Sequence, residues 1–318
     1  MSGSAKVCVY IGDALAAYGF GHGHPFGTDR MEAFWNRAQK LGLSDLVCVR
    51  EPVEAMQAAI ELFHDHAYVE QVREQSQTGQ GFLDYGDTPA FSGVYEAAAH
   101  VVGSMLDAAD RLMDGECCYA FVPIAGLHHA RRDGAAGFCV FNDCGVVMEH
   151  LLEKYGLQRL LYVDIDAHHG DGVYYGFASD PRVYIADVHE DGQYLYPGTG
   201  DADETGTGEA CGTKHNFPLA PGAGDDAFMA VWADIEVIIE QVKPEFIMLQ
   251  CGADSVAGDP ITHLNLSARS HAHAAAQLCR LAARYCPGRV LAAGGGGYNR
   301  RNLAEAWTGV LQAFVESS

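Results

Sequence analysis

Residues Leu160 to Gly172 read LLYVDIDAHHGDG. The first four, Leu160-Leu161-Tyr162-Val163, form an apolar run without polar alternation, the pattern of a strand buried on both faces of a parallel sheet. The remainder is opposite in character: Asp164, Asp166, His168, His169 and Asp171 crowd into eight residues. Desolvating such groups at a strand tip costs several kcal/mol, roughly, for each unpaired ion. A divalent cation held by Asp166 and His168 would offset that cost, with the remaining acids orienting nearby imidazoles. A solvated acidic turn is the alternative. It predicts Gly, Pro, Ser or Asn directly after the strand, whereas here the polar residues come first and Gly170 and Gly172 follow.

Working outward, the same alternation of buried strand and helix recurs. Strands are expected at Lys6 to Ile11, Cys118 to Val122, Leu160 to Asp164, Val183 to Asp187, Phe246 to Gln250 and Val290 to Ala293. Helices are expected at Arg30 to Leu41, Val94 to Met113, Asp143 to Tyr155, Asp226 to Val242, Ser270 to Tyr285 and Arg301 to Val315, with a helical pattern between Glu54 and Gln77. This order implies an α/β fold with a central, mostly parallel sheet and helices on both faces. No linker, low-complexity segment or repeat divides residues 1–318, so a single domain is expected.

Composition narrows the function. Asp plus Glu number 42 against 20 Lys plus Arg, a net charge of −22, which disfavours a nucleic-acid partner and favours cationic substrates. No apolar run reaches transmembrane length, and MSGSAKVCVYIGD at the start has one Lys and reaches Asp13 too soon for a secretory signal. The ten cysteines include no C-x-x-C pair, and Cys8, Cys48, Cys251 and Cys279 sit in apolar runs, as free thiols of a reducing compartment do. The adjacent Cys117-Cys118 reads as strand interior. A cytoplasmic protein is expected, with its oligomeric state open.

Two loops stand out. Tyr18 to Gly27 is too glycine-rich for a regular element, and its mobility makes His22 and His24 structural or rim residues rather than metal ligands. Asp29 reads as the N-cap of the helix that follows. In the second loop, Gly79 to Pro89, Asp87 reads as a turn-capping residue.

In a parallel α/β sheet ligands bind off the carboxyl ends of the strands. Each strand here leads to a polar tip: His128-His129 after the strand at 118–122, His189 and Tyr194 to Gly200 after 183–187, Asp254 after 246–250, and Gly294 to Tyr298 after 290–293. Five such tips on one edge point to a shared site. Asp254 then completes a three-ligand set with Asp166 and His168, leaving a coordination position open for water and substrate. The glycine run lets backbone approach the site and delivers Tyr298 as a positioned donor. Gly170 and Val256 stand where the ligands of a second metal would fall, so one catalytic ion is expected.

These segments carry a resemblance. LHHA at 127–130, GFCVFND at 137–143, YVDIDAHHGDG at 162–172, YPGTGD at 196–201, CGADSVAGDP at 251–260 and GGGGYN at 294–299, with HPF at 24–26, resemble the histone deacetylase family in the family's own order. The likeness is closest to its class I branch and to bacterial acetoin-utilisation-type deacetylases, and it implies the arginase/deacetylase type of fold. The resemblance implies zinc as cofactor, with ferrous iron as the alternative, on Asp166, His168 and Asp254. It implies His129 as general base, His128 as its assisting imidazole, Asp164 and Asp171 orienting His128 and His129 respectively, and Tyr298 as the oxyanion donor. It places Gly137, Phe138 and Tyr196 along a tunnel for the acyl-lysine stem, Tyr196 standing where the family usually has Phe. It also puts Asp87 on a rim loop that takes the substrate backbone, and Ile261 at the tunnel rim.

Two departures bear on these expectations. Asp187 stands where the family commonly has Ser at a structural potassium site, so a potassium ion there rests on a carboxylate. The chain also lacks the long C-terminal extension of eukaryotic members, so recruitment through a tail is not expected. The expected partner is an acetylated lysine in a peptide or protein, or another acetylated amine. An acetylpolyamine deacetylase would be favoured by an acidic residue at position 261, and Ile261 is not one. An acetyl-lysine reader without catalysis is disfavoured by the presence of Tyr298 and both histidines, and a ureohydrolase by the missing second-metal carboxylates.

Overall fold

The computed structural model describes residues 7–21 and 23–318. Lys6, where the first strand is expected to begin, and His22 lie outside the described residues. Eight strands, β1 (Val7–Tyr10), β2 (Cys48–Arg50), β3 (Tyr119–Val122), β4 (Leu160–Asp164), β5 (Val183–Glu190), β6 (Lys214–Leu219), β7 (Phe246–Gln250) and β8 (Val290–Ala293), form one sheet in the order β2-β1-β3-β8-β7-β4-β5-β6. Every pairing is parallel. All residues of β1, β3, β4, β7 and β8 are buried, so both faces of the central strands are covered. No described helix is long and apolar enough to cross a membrane, and all ten cysteines are free.

The order of the strands explains why distant motifs meet. The chain leaves β3 and re-enters the sheet at β4 on the far side of a gap, which β7 and β8 later fill. The carboxyl ends of β3, β8, β7 and β4 therefore lie side by side at the centre of the sheet. Helices Asp143–Lys154, Ala268–Tyr285 and Arg300–Glu316 begin at Asn142, Ser267 and Asn299, whose side chains accept from backbone N–H groups of the first turn.

Several expectations are corrected. The edge strands β2 and β6 carry no readable pattern: β2 has three partly exposed residues, and β6, KHNFPL, mixes polar residues with a proline. Strand β5 continues past Asp187 to Glu190, because its pairing with β6 runs on to Leu219. The pattern between Glu54 and Gln77 is two helices, Gln57–Ile60 and His66–Thr78, parted where Phe63 and His64 turn into the interior. Asp29 makes no cap hydrogen bond, since its Oδ1 accepts from Arg300 Nη2 at 2.6 Å. Nor does Asp87 cap its turn: Asp84 Oδ1 accepts from the N–H groups of Gly86, Asp87 and Thr88, each at 2.9 Å.

Candidate active site

The four central strand ends enclose a cavity of about 260 Å³. His128, His129, Asp166 and His168 form its inner end together with Tyr298, Gly137, Phe138 and Tyr196 line its walls, and Asp87 and Ile261 belong to the same lining. Asp164, Asp171 and Asp254 stand behind the imidazoles, buried. All the residues singled out in the sequence as catalytic, metal-binding or substrate-binding thus gather at one place. His24 is near the rim, with Nε2 3.2 Å from the Asp87 carbonyl and its ring 4.5 Å from that of Phe138.

The two histidines after β3 are held from behind. His128 Nδ1 lies 2.8 Å from Asp164 Oδ2 and His129 Nδ1 lies 2.7 Å from Asp171 Oδ1, while the two Nε2 atoms are 3.1 Å apart. Burial opposes charging of His128, yet the Asp164 and Asp166 carboxylates push its pKa up to about 10. Burial and then the positive His128 hold His129 down to about 4. The surroundings thus favour the proton on His128 over His129.

Asp166, His168 and Asp254 converge, with the donor atoms all within 4.8 Å of one another. His168 Nδ1 is 3.0 Å from Asp166 Oδ1 and 3.1 Å from Asp254 Oδ2. Burial and then the charge of Asp166 raise the Asp254 carboxyl to about 7. Burial also opposes charge on Asp166, but the imidazoles of His128 and His168 outweigh it and hold that carboxyl well below its usual range. No lysine or arginine among the described residues pairs with either acid. A buried anionic surplus of two carboxylates around one imidazole fits a divalent cation.

Glycine is required where the backbone passes these acids. A Cβ at Gly252 would stand 1.9 Å from Asp166 Oδ2, and one at Gly296 would stand 2.1 Å from Asp254 Oδ2. The N–H of Gly296 instead donates to Asp166 Oδ2 at 2.8 Å. The run ends in Tyr298, whose N–H donates to Asp259 Oδ2 at 2.8 Å. Burial, then Asp254 and Asp166, push the Tyr298 phenol well above its ordinary pKa, so it remains an O–H donor.

Residues missed in the sequence build the support. Arg30, fully buried, donates from Nε to the Gly297 carbonyl at 3.0 Å and from Nη2 to that of Gly295 at 2.5 Å. Gln250 closes β7 by donating to Asp166 Oδ2 at 2.9 Å and accepting from Gly252 N at 2.7 Å. Asp143 accepts from the N–H groups of Gly126 and Leu127, fixing the approach to the histidines. Phe138 adopts φ 72, a strained value for a side chain of this size. Tyr18 donates to its carbonyl at 2.7 Å and Thr88 Oγ1 accepts from its N–H at 3.1 Å, which holds the ring on the cavity wall. A polar residue ending an apolar strand was the readable signal for Gln250, and Asp143 closes the motif at 137–143; Arg30 and Thr88 carried none.

Asp187 is fully buried beside the site, with Oδ1 2.7 Å from His189 Nδ1 and Oδ2 accepting from Gly170 N at 2.9 Å.

Comparison with known proteins places this architecture. Residues 24–314 match the histone deacetylase domain. The chain is 35% identical over 299 residues to the acetoin utilization protein AcuC of Bacillus subtilis, covering 91% of this chain and 77% of that protein. It is 33% identical over 312 residues to histone deacetylase 1 of Homo sapiens, covering 95% of this chain and 63% of the human protein, which is less than two thirds of its length. The crystal structure of the HDA15 HD domain aligns with a TM-score of 0.91 and 25% identity, over 98% of this chain and 89% of that one. A domain match that runs from the rim loop to the last helix, with relatives of this likeness along nearly the whole chain, establishes that the chain belongs to the histone deacetylase family and is a hydrolase of that family.

Proposed function

We propose that the protein, read as one deacetylase domain, removes acetyl groups from the side-chain amine of acetyl-lysine in peptides or proteins. The observation that carries this reading is the His128–His129 pair, each backed by a carboxylate, set at the inner end of a cavity beside Asp166, His168 and Asp254. Those last three residues would hold a divalent ion, zinc or ferrous iron. Bound there, such an ion supplies Lewis-acid polarisation of the amide carbonyl and acidification of water.

The chain's own residues do the rest. Neutral His129 accepts a proton at Nε2 from the attacking water and later returns one to the departing amine. Asp171 engages Nδ1, so Nε2, which faces His128 Nε2, is the nitrogen that takes the proton once that contact is given up, and the positive charge favoured on His128 by Asp164 and Asp166 opposes early charging of His129. Tyr298 donates its O–H to the carbonyl oxygen as negative charge develops there. Phe138 and Tyr196 give the stem an apolar passage, and Asp87 offers a carboxylate to the groups that emerge at the mouth. The absence of a charged group at Ile261 weighs against a substrate with a second cationic nitrogen on that side. A potassium ion at Asp187 would have to share oxygens already engaged by His189 and Gly170.

The test is acetate release by the zinc-loaded protein from a panel of acyl-lysine peptides and acetylated polyamines. Turnover of acetyl-lysine peptides is expected to exceed that of the polyamines. The reverse order would overturn the substrate assignment, and no hydrolysis of any member would overturn the reaction.

A further inference from the structure

Beside the tunnel mouth lies a second groove of about 230 Å³, lined by Asp84, Tyr85, Asp87, Arg131 and Tyr196. Asp87 and Tyr196 line the tunnel as well, so the groove opens directly from the point where a bound acyl-lysine stem would surface. The groove holds two charged side chains whose charged groups make no hydrogen bond among the described residues. Asp84 is not one of them, because its oxygens accept from three backbone N–H groups and from Thr88 Oγ1. The Asp87 carboxylate takes part in no hydrogen bond among the described residues, although its backbone is fixed by Asp84 and His24.

The contrast between the two consecutive arginines is sharper. Arg132 is tied inward, donating to the carbonyls of Phe63 and Gly176 and to Glu149 Oε1. Arg131 sends its side chain out. Its nearest carboxylate, Asp133, is 3.8 Å from Nε, too far for a hydrogen bond, and its guanidinium has no acceptor among the described residues. Its backbone is nevertheless rigid, held by the tight turn in which Arg131 N donates to Gly134 O at 2.8 Å and placed two residues from His129. On a chain with a net charge of −22, a guanidinium on a held backbone, only loosely paired with the exposed Asp133 and making no hydrogen bond of its own, marks a site for an anion that the overall field would otherwise repel.

We propose that Arg131 and Asp87 together read the two charges on the α-carbon of the substrate. Arg131 takes the α-carboxylate through its planar fork, and Asp87 takes the α-nitrogen. The class of substrate is an Nε-acyl-lysine with a free α-carboxylate, either the free amino acid or the last residue of a peptide. This deepens the proposed deacetylation and rests on it, because the acyl arm must enter the tunnel for its α-carbon to stand at the groove.

The experiment uses the zinc-loaded full chain with four probes sharing one acyl arm: free Nε-acetyl-lysine, its α-carboxamide, a dipeptide ending in acetyl-lysine, and a peptide with acetyl-lysine inside. Both kcat/KM and calorimetric binding are measured. The two acids are expected to exceed the carboxamide on the order of tenfold, as a charge-assisted contact at a half-exposed rim gives. In Arg131→Gln the ratio of acid to carboxamide is expected to fall towards one. Asp87→Asn should weaken the free amino acid more than the dipeptide, whose α-nitrogen is uncharged. Equal acid and carboxamide in the wild type, or an acid preference that survives in Arg131→Gln, overturns the assignment. Acid-selective binding without hydrolysis of any probe supports the Arg131 site and rejects the reaction instead.

Discussion

The Nε2 atoms of His128 and His129 face one another at 3.1 Å, close enough that one ring must donate and the other accept. With His128 pushed up to about 10 and His129 held down to about 4, the proton belongs to His128 and the open lone pair to His129. His129→Ala should therefore cost about 10²–10⁴ in kcat, the contribution of a general base. Asp171→Asn removes the carboxylate that raises the His129 pKa, so it should lower the rate and move the acid limb of the pH–rate profile to lower pH. An acid limb that stays in place in Asp171→Asn would show that His129 is not the group that titrates.

Tyr298 lines the same cavity. Its phenol is kept protonated by burial and by the nearby acids, and its backbone is anchored to Asp259, so removal of the hydroxyl leaves the ring in place. Tyr298→Phe is expected to lose roughly 10²–10³ in kcat with a much smaller change in KM, the pattern of a contact that strengthens in the transition state. Steady-state kinetics separates the two parameters, and an unchanged kcat would give Tyr298 a packing role only.

Asp254 tests the proposed metal site. Its Oδ1 accepts from Ala167 N at 2.8 Å and its Oδ2 faces His168, so Asp254→Ala removes a donor and also loosens the loop that carries the others. Metal content per chain after dialysis is expected to fall to a small fraction of the wild-type value, with activity lost in parallel. Retention of one tightly bound ion by Asp254→Ala would remove this carboxylate from the ligand set.

The central fold was readable because its physics is local: apolar runs that lead into polar or glycine-rich tips mark β3, β4, β5, β7 and β8 whatever surrounds them. Edge strands were not, since β2 and β6 need bury only part of their surface and so lack that signature. The same division holds at the site. Asp166, His168, Asp254 and Tyr298 announce themselves as polar residues where a buried strand ends, but Arg30 meets Gly295 across 265 positions of sequence, and nothing near it says so. Asp84 and Asp87 share one loop and one residue type, and only the folded turn shows that the first takes the backbone bonds while the second keeps its carboxylate free.

His64 links stability to pH away from Asp166, His168 and Asp254. It is buried, Asn142 N donates to its Nε2 at 2.8 Å, and its Nδ1 lies 3.3 Å from the Arg132 carbonyl, an arrangement that requires the neutral ring with its proton on Nδ1. Burial accordingly depresses its pKa from 6.5 to about 4. The unfolded chain then binds a proton that the folded chain refuses, so stability from this group is fully present above pH 6.5 and is lost as pH falls through the interval down to about 4. At about 1.4 kcal/mol per unit, the loss across that interval is about 3 kcal/mol. His64→Gln keeps an acceptor for the Asn142 N–H but cannot titrate. Denaturant unfolding at several pH values should show the variant less stable than wild type at pH 7, with a shallower decline between pH 6.5 and 4. Parallel declines in the two proteins would mean that His64 is already charged in the folded state or opens freely to water.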